Sequence, residues 1–406
     1  MFKEIEIFKS EREKLFDRLA DKLETAYNLS RKVVSFQANK EEPIYRWFKY
    51  KEGFSSTLVK YFLSEYAPKG GKVLDPFAGA GTTLFAGQEL GWESYGIELL
   101  PVGAFVMQTR QAINEIDVKE LQSISKKMWN EILKIKTYEN FINHISITKD
   151  AFPVDTEEYL NKYLNYCSKI NSKPIQTILK FAAFTVLEEI SFTRKDGQYL
   201  RWDYRCKRDL TGKPFDKGRI LNFEDAVKAK LNQIIQDLLP NQTKSLFEQF
   251  ENNTQDKKAV NIIEGSCLEE LPKLESNFFD FTITSPPYCN RYDYTRTYAL
   301  ELVYLGYDND QVRNLRQTML SCTVENKEKL EYLEQFYISI NQKSAFEKVI
   351  KTYQSSEAMM EVNTILDELN KLGKLNNNNI ARMVKNYFLE LCFVIYEMAR
   401  VTKSGG

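Results

Sequence analysis

The most constraining feature of this chain is a short run in its first quarter that alternates strand, glycine-rich turn, helix and strand. Residues 71–75 and 92–97 have the pattern of buried strands, and Glu98 ends the second one. Between them, residues 76–83 are a glycine-rich turn and residues 84–90 a helix. Glycines at the carboxyl end of a parallel strand let a ligand approach the backbone closely, and an acid ending the next strand suits two ribose hydroxyls. The run therefore predicts the nucleotide-binding half of a doubly wound α/β fold.

The turn between the strands is the first candidate binding site. Its sequence, Asp-Pro-Phe-Ala-Gly-Ala-Gly-Thr-Thr at 75–83, lacks the Lys-Ser/Thr pair of a phosphate-binding P-loop and the full G-x-G-x-x-G spacing. A dinucleotide is therefore not favoured, although a closely bound cofactor is. The candidate cofactor-binding residues are Asp75, Phe77, Ala78, Gly79, Gly81, Thr82 and the strand-ending acid Glu98.

A second motif follows a later strand. Residues 278–284 have an apolar strand pattern that runs into Ser285-Pro286-Pro287-Tyr288. Consecutive prolines fix φ and remove two backbone donors, so the loop offers oxygen acceptors, namely the Ser285 hydroxyl and the Pro286 carbonyl, beside an aromatic ring. Such a loop suits a planar amino group. Hydrogen bonds accepted from its N–H groups bias the nitrogen toward a nucleophilic geometry, and Tyr288 can stack on the attached ring.

The remainder of the chain is mostly helical in pattern. Helices are expected at 8–28, 55–66, 267–274 and 380–402, and strand alternation resumes at 260–264 after a long interruption. We divide the chain into five parts: residues 1–104 with the N-terminal helices and the first half of the core, 105–255 as a helical insertion, 256–297 with two further strands, 298–379 as a second helical insertion, and 380–406 as a long helix with a Gly-Gly end.

Composition narrows the functional classes. Lys plus Arg and Asp plus Glu number 56 each, so attraction to nucleic acid must come from local patches. The six cysteines are scattered singly, so we expect neither a metal site nor a disulfide framework, and no chemistry is expected from the single histidine, His144. No apolar run reaches the roughly 20 residues that span a bilayer, and the N-terminus lacks a signal-peptide layout. We therefore expect a cytoplasmic protein without a membrane partner.

Together, the DPFAGAGTT turn, the acid that follows it and the TSPPY loop resemble the amino-methyltransferase family that acts on DNA. The resemblance implies a class I methyltransferase fold, an α/β, Rossmann-like, doubly wound sheet, here with large and mostly helical insertions. It also implies S-adenosylmethionine as the cofactor, bound by the turn and Glu98, with residues 285–288 as the catalytic loop. Residues 46–55 are similar to the family element that lines the methionine end of the cofactor.

The resemblance also bears on the base that is modified. Within the family, serine at the first catalytic position, here Ser285, usually accompanies cytosine N4, so we expect that target and keep adenine N6 as the alternative. Where relatives often carry Gly-Asp, this chain has Gly265-Ser266, and Ser266 is the candidate replacement for the carboxylate partner of the cofactor adenine. A cytosine C5 enzyme is excluded because the chain has no Pro-Cys nucleophile. Further alternatives are an RNA guanine-N2 methyltransferase and a non-catalytic DNA-binding subunit.

Two segments are candidates for contact with double-stranded DNA. Residues 192–219 hold nine Lys or Arg against four Asp, interleaved with aromatic residues, although a solvated, partly ion-paired surface is the alternative. The family places target-recognition segments in insertions, which implies that role for part of 105–255 in a restriction-modification setting. Residues 290–294 follow the catalytic loop and are candidates to line the pocket of a flipped-out base or to fill its gap, with simple packing as the alternative.

A final expectation concerns completeness. The class I core has seven strands, yet only four strand patterns are found, near 71–75, 94–97, 260–264 and 279–283. The sheet is therefore expected to stop before its fifth strand, and the end of the terminal helix resembles the connection into it. An uncovered apolar edge favours pairing with another strand. We expect a further segment or a second polypeptide to complete the core, unless an insertion supplies the missing strands.

Overall fold

A computed structural model describes residues 10–27, 29–67, 69–196, 199–210, 213–251, 258–289 and 292–406, with the backbone alone for Tyr199 and for residues 240–251. The strands of the described chain are β1 Lys72–Asp75, β2 Glu93–Glu98, β3 Thr193–Asp196, β4 Tyr199–Trp202, β5 Val260–Glu264 and β6 Phe281–Thr282. No described helix is long and apolar enough to cross a membrane.

The helices divide between the core and two insertions. Around the first two strands lie α1 Glu11–Leu19, α2 Ser56–Tyr66, α3 Thr82–Glu89 and α4 Pro101–Gln111. The first insertion contains α5 Val118–Leu133, α6 Val154–Ser168, α7 Lys173–Thr185, α8 Leu187–Ile190 and α9 Phe223–Glu251. After β5 come α10 Cys267–Glu270, α11 Tyr294–Thr297, α12 Ala299–Tyr304, α13 Asn309–Thr318, α14 Leu330–Ser339, α15 Lys343–Gln354, α16 Glu357–Lys371 and α17 Ile380–Val401.

Four strands form one parallel sheet in the order β5-β2-β1-β6. Because the strands are parallel, their carboxyl ends meet at a single edge, which is where open α/β sheets bind ligands. This sheet, with helices on both faces, confirms the expected α/β, Rossmann-like fold with helical insertions. The central strands are buried on both faces, as their apolar patterns predicted.

The fourth strand is shorter than the expected 279–283. Regular pairing with β1 covers only Phe281 and Thr282, but the Asp280 N–H also donates to the Lys72 carbonyl (2.8 Å) and the Ile283 N–H to the Leu74 carbonyl (3.0 Å). On its other side the chain pairs with the C-terminal segment, through a parallel bridge between Phe279 and Thr402. The beginning of this edge is therefore covered.

The first helix is also shorter than the expected 8–28. Ser10 and Glu13 form a capping box at its start, and a 3-10 turn, Ala20–Lys22, follows its last residue. Residues 8, 9 and 28 lie outside the described chain. No residue of α1 is buried, so little tertiary packing stabilises a longer helix.

Of the four apolar clusters among the described residues, the two large ones pack the insertions against the core. The larger one joins helices of the first insertion to Trp47 and Phe48 and to the segment after the catalytic loop. The other packs Leu74 and Ile97 of the sheet against α10, α14, α15 and α17. The second insertion thus covers one face of the sheet instead of standing apart from it.

Candidate active-site cleft

A cleft of about 880 Å³, including its open mouth, lies at the carboxyl ends of the parallel strands. Predicted site residues that line it are Phe77, Ala78, Gly79, Thr82, Glu98, Ser266, Ser285 and Pro287. Four other predicted residues do not line it, namely Asp75, Gly81, Pro286 and Tyr288. The structure thus brings both sequence motifs to one cavity although they are about 200 residues apart.

The two glycines of the turn have different roles in the structure. Gly79 (φ +53°) lines the cleft, and a β-carbon there would lie 3.1 Å from the ring of Tyr50, which also lines the cleft. Gly81 (φ +75°) faces the other way, and its β-carbon would lie 2.6 Å from Met107 Cγ of α4. Positive φ favours glycine at both positions. Gly79 is therefore placed for close contact with a ligand. Gly81 instead allows the turn to pack closely on α4.

Asp75 connects the two motifs from beneath the cleft. Its buried carboxylate accepts hydrogen bonds from the hydroxyls of Thr83 and Thr284 (2.7 Å each) and from the Phe77 N–H (3.1 Å). Burial raises the pKa of this carboxyl, and the three donors oppose that shift. Thr284 directly precedes Ser285, so Asp75 positions both loops without itself facing the cavity.

Glu98 is the buried acid of the cleft. One carboxylate oxygen accepts the Gly79 N–H and the other the Leu100 N–H, at 2.6 Å each. Burial raises the pKa of Glu98 to about 8, although these two hydrogen bonds lower it. A buried carboxylate whose only hydrogen-bond donors are neutral N–H groups can accept further hydrogen bonds from the hydroxyl groups of a ligand.

The loop at 285–288, which the sequence predicted to be catalytic, is held by a hydrogen bond on one side. Ser285 and Pro287 face the cleft, and the Pro287 carbonyl accepts a hydrogen bond of 2.6 Å from the Tyr387 hydroxyl of α17. The Tyr288 ring is 46% exposed, outside the cleft lining, where a planar group arriving from solvent can reach it. The loop therefore presents Ser285 inward and Tyr288 outward.

The second insertion supplies a wall of the cleft that sequence reasoning missed. Met319 and Leu320, just after α13, line the cavity beside Ser266 and Cys267. The Ser266 hydroxyl lies 3.4 Å from the Thr318 carbonyl, a long hydrogen bond. No local pattern marks Met319 and Leu320, because their contact with the cleft depends on the packing of a distant helix.

The element at 46–55 is split between two environments. Tyr50, Lys51, Glu52, Gly53 and Phe54 line the cleft. Phe36, which the sequence did not single out, also lines it, and so does Tyr294 of the predicted pocket segment 290–294. The earlier part packs into the first insertion instead. There the Trp47 indole N–H donates to Asp237 of α9 (2.8 Å), and Arg46 forms an ion pair with the same carboxylate.

The basic stretch forms a hairpin whose two faces differ. On the inner face, Lys195 forms a buried ion pair with Glu301 of α12. On the outer face, the exposed Arg194 and Arg201 are opposite each other in the β3–β4 register, with guanidinium carbons 5.8 and 4.0 Å from the centroid of the Phe215 ring.

Several other cations of the stretch are used internally. Arg205 pairs with the buried Asp203 (Nε–Oδ1 2.6 Å), and Lys217 donates to the Ser191 carbonyl (2.7 Å). Asn290 and Arg291, two of the residues expected near a flipped base, lie outside the described residues. The neighbouring Tyr292 is buried.

The cleft fits S-adenosylmethionine, the cofactor that the resemblance implies. Gly79 borders the cavity without a side chain, and the buried carboxylate of Glu98 can accept hydrogen bonds from hydroxyl groups. Ile97 and Leu100 form an apolar wall on which a purine can pack. Ser285 lines the same cavity as the glycine turn and Glu98.

Comparisons with known proteins agree with this geometry. A family model described as DNA methylase matches residues 3–102. The type II methyltransferase M.AvaI of Nostoc sp. is 42% identical over 397 residues, which cover 96% of this chain and 78% of that protein. M.BsoBI of Geobacillus stearothermophilus is 41% identical, covering 97% and 78% of the two chains. M.MjaII of Methanocaldococcus jannaschii is 27% identical, over 45% of this chain and 30% of its own. No solved structure is significantly similar.

We expect cofactor affinity to depend on the ionisation of Glu98. The carboxylate accepts hydroxyl hydrogen bonds better than the protonated acid, and its pKa is about 8, so affinity should rise with pH through that value. Calorimetry from about pH 6 to pH 9 measures the dissociation constant of S-adenosylhomocysteine. Below pH 8, this constant should increase by up to about tenfold for each unit by which the pH is lowered. Glu98→Gln should remove this slope, whereas the ligand's own amine titrates against both proteins. Equal slopes for the two proteins would contradict the assignment.

Proposed function

This chain belongs to the amino-methyltransferase family of type II DNA methyltransferases, and on that premise we propose that it transfers a methyl group from S-adenosylmethionine to N4 of cytosine in duplex DNA. Enzymes of this family use S-adenosylmethionine. The observation that carries the proposal is the meeting of the glycine turn, Glu98 and Ser285 in one cleft. Retention of both motifs favours an enzyme over a non-catalytic subunit, and the type II names of the relatives favour DNA over RNA.

The chain's own residues account for how a poor nucleophile is activated. S-adenosylmethionine supplies an electrophilic methyl group on a sulfonium. The Ser285 hydroxyl and the Pro286 carbonyl are proposed to accept hydrogen bonds from the two N–H groups of the base amine, which draws its lone pair out of conjugation. Tyr288 is proposed to stack on the base and favour the positive charge that develops on it. The Pro287 carbonyl already accepts a hydrogen bond from Tyr387, so the Pro286 carbonyl is proposed as the backbone acceptor, although Pro286 does not itself line the cleft.

The target base must leave the double helix to reach this cleft, so we propose base flipping. The exposed ring of Tyr288 supports this, because it is accessible to a base that enters from outside. Incubation of the protein with labelled cofactor and either duplex DNA or transfer RNA, followed by mass spectrometry of the nucleosides, tests the function and its target together. N4-methylcytosine is expected. N6-methyladenine would instead identify the alternative amine, and labelling of transfer RNA alone would exclude a DNA enzyme.

Variants of the catalytic loop should separate chemistry from cofactor binding. Ser285→Ala and Tyr288→Ala are expected to lower kcat by about 10²-fold or more while leaving the affinity for S-adenosylhomocysteine nearly unchanged, because both side chains act on the base. Tyr288→Phe is the matched control, since it keeps the stacking ring. Full activity in Ser285→Ala or Tyr288→Ala would remove that residue from the mechanism.

We propose that the outer face of the β3–β4 hairpin contacts the DNA backbone. Like charges directly opposite in a sheet destabilise it, yet Arg194 and Arg201 occupy such a pair beside one aromatic ring. The exposed Asp196 carboxylate, 3.5 Å from Arg201, forms a long surface ion pair that compensates only part of this charge. An anion beside both arginines would relieve their repulsion. The buried Lys195–Glu301 pair supports the proposal by fixing the hairpin to α12, close to the catalytic loop in the chain. Arg205 is not included in this surface, because Asp203 occupies its guanidinium.

Charge removal on this face should change the salt dependence of DNA binding. Arg194→Gln and Arg201→Gln should each lower the slope of log K against log salt by about 0.9 and weaken binding to all sequences alike. Fluorescence anisotropy at several salt concentrations measures both. Lys371→Gln, on α16 beside the other apolar core, is the charge-matched control. An unchanged slope, or a loss confined to one sequence, would contradict a phosphate contact.

We also propose that the outer edge of β6 pairs with a strand of a second polypeptide. Among the described residues, the bridge to Thr402 covers this edge at Phe279, and no strand is paired with Phe281 or Thr282 on that side. Sedimentation and methylation assays of residues 1–406, alone and with the polypeptide encoded downstream, test this. A stable, monomeric and fully active chain would contradict it.

A further inference from the structure

Helix α17 carries two polar side chains that form hydrogen bonds with segments beside the cleft. Tyr387 and Glu390 are three residues apart, so they lie on the same face of the helix, and both are buried. Neither belongs to a motif that the sequence brought out, and neither lines the cavity. Each one holds a different segment that does line it.

Tyr387 holds the catalytic loop. Its hydroxyl donates to the Pro287 carbonyl at 2.6 Å, next to the carbonyl proposed to bind the base amine. Burial raises the pKa of Tyr387 to about 12, so the phenol remains a donor at neutral pH. Since Pro286 and Pro287 have no N–H groups, the backbone of this loop has few hydrogen bonds of its own. An external donor to Pro287 therefore has a large effect on the orientation of the loop.

Glu390 holds the wall formed by Met319 and Leu320. Its carboxylate accepts the N–H and the hydroxyl of Ser321, at 2.8 and 2.6 Å. Lys329 lies 3.1 Å from the same carboxylate and also donates to the Ser321 hydroxyl (3.0 Å), and both charged side chains are almost fully buried. Ser321 directly follows Leu320, so this network sets the position of the wall beside Ser266, where the usual acidic partner of the cofactor adenine is absent.

We propose that α17 is a positioning helix, in which Tyr387 orients the catalytic loop for the base and Glu390, through Ser321, orients the wall against the cofactor. The proposal rests on the function proposed above. Because the two side chains hold different segments, their effects on catalysis separate. Loss of the Tyr387 hydroxyl affects turnover, and loss of the Glu390 charge affects cofactor affinity.

The test compares both parameters in the full-length protein. Tyr387→Phe should lower kcat about tenfold at saturating DNA and cofactor and leave the Kd for S-adenosylhomocysteine within about twofold of wild type. Glu390→Gln should raise that Kd about tenfold, with kcat recovered at saturating cofactor. The milder Ser321→Ala should raise the Kd about threefold, which keeps the second half testable if Glu390→Gln does not fold.

Two matched controls report the loss of equivalent interactions elsewhere around the same helix. Tyr353→Phe removes a phenol that donates to the Lys385 carbonyl of α17 at 3.2 Å, and Glu397→Gln removes a buried carboxylate of α17 that pairs with Arg400. Both controls should leave kcat and Kd within about twofold of wild type.

The outcomes are decisive in either direction. Effects of Tyr387→Phe and Glu390→Gln on the same parameter, or effects no larger than those of the controls, overturn the proposal. Hydrogen exchange of peptides covering 282–289 provides a readout independent of activity and should be faster in Tyr387→Phe than in Tyr353→Phe. If wild-type protein transfers no methyl group to DNA, the proposed function fails, and exchange and Kd alone then decide the role of α17.

Discussion

The carboxylate of Asp75 joins the two loops that form the floor of the cleft. It binds the hydroxyl of Thr83, at the start of α3, and that of Thr284, directly before the catalytic loop. A buried carboxylate without its donors is costly, by several kcal/mol, so both loops are held where their hydroxyls can reach it. One side chain therefore sets the separation between the glycine turn, proposed to bind the cofactor, and the 285–288 loop, proposed to bind the base. Methyl transfer depends on such a fixed distance, because misplacement by about 1 Å greatly slows a reaction between two bound groups.

Three of the buried glutamates differ in whether their charge is compensated by a lysine. Glu301 and Glu390 each have a lysine partner, Lys195 and Lys329, and both pairs fasten a surrounding element to the core. Glu98 has only backbone N–H donors, and its pKa is accordingly raised to about 8. A buried ion pair is a rigid anchor whose charges are already compensated. An acid held by neutral donors retains acceptor capacity for a ligand, and Glu98 is the one of the three that lines the cleft.

The insertions contribute to the cleft rather than only surrounding the sheet. The first one binds Arg46 and Trp47 through Asp237, which fixes the chain just before the Tyr50 wall. The second one brings Met319 and Leu320 to the opposite side of the cavity and covers a face of the sheet. The expected boundaries at 105–255 and 298–379 divide the sequence but not the packing. Both segments share apolar cores with residues outside them.

The sequence by itself determined the local features of the parallel sheet: the positions of its four strands, the glycine turn, Glu98 at a strand end and the proline-rich loop at 285–288. These follow from short-range periodicity and from backbone requirements that only a few residue types meet. The sequence did not predict the β3–β4 hairpin. The parallel pairing of β1, β2 and β6 then placed both motifs at one edge of the sheet, because parallel strands end together. Only the tertiary structure decided which side chains face the cleft. It turned Gly81 toward Met107 and placed Asp75 beneath the loops. It also brought Leu320, Tyr387 and Glu390 to the site, because those contacts join residues far apart in the chain through helix packing that leaves no local pattern.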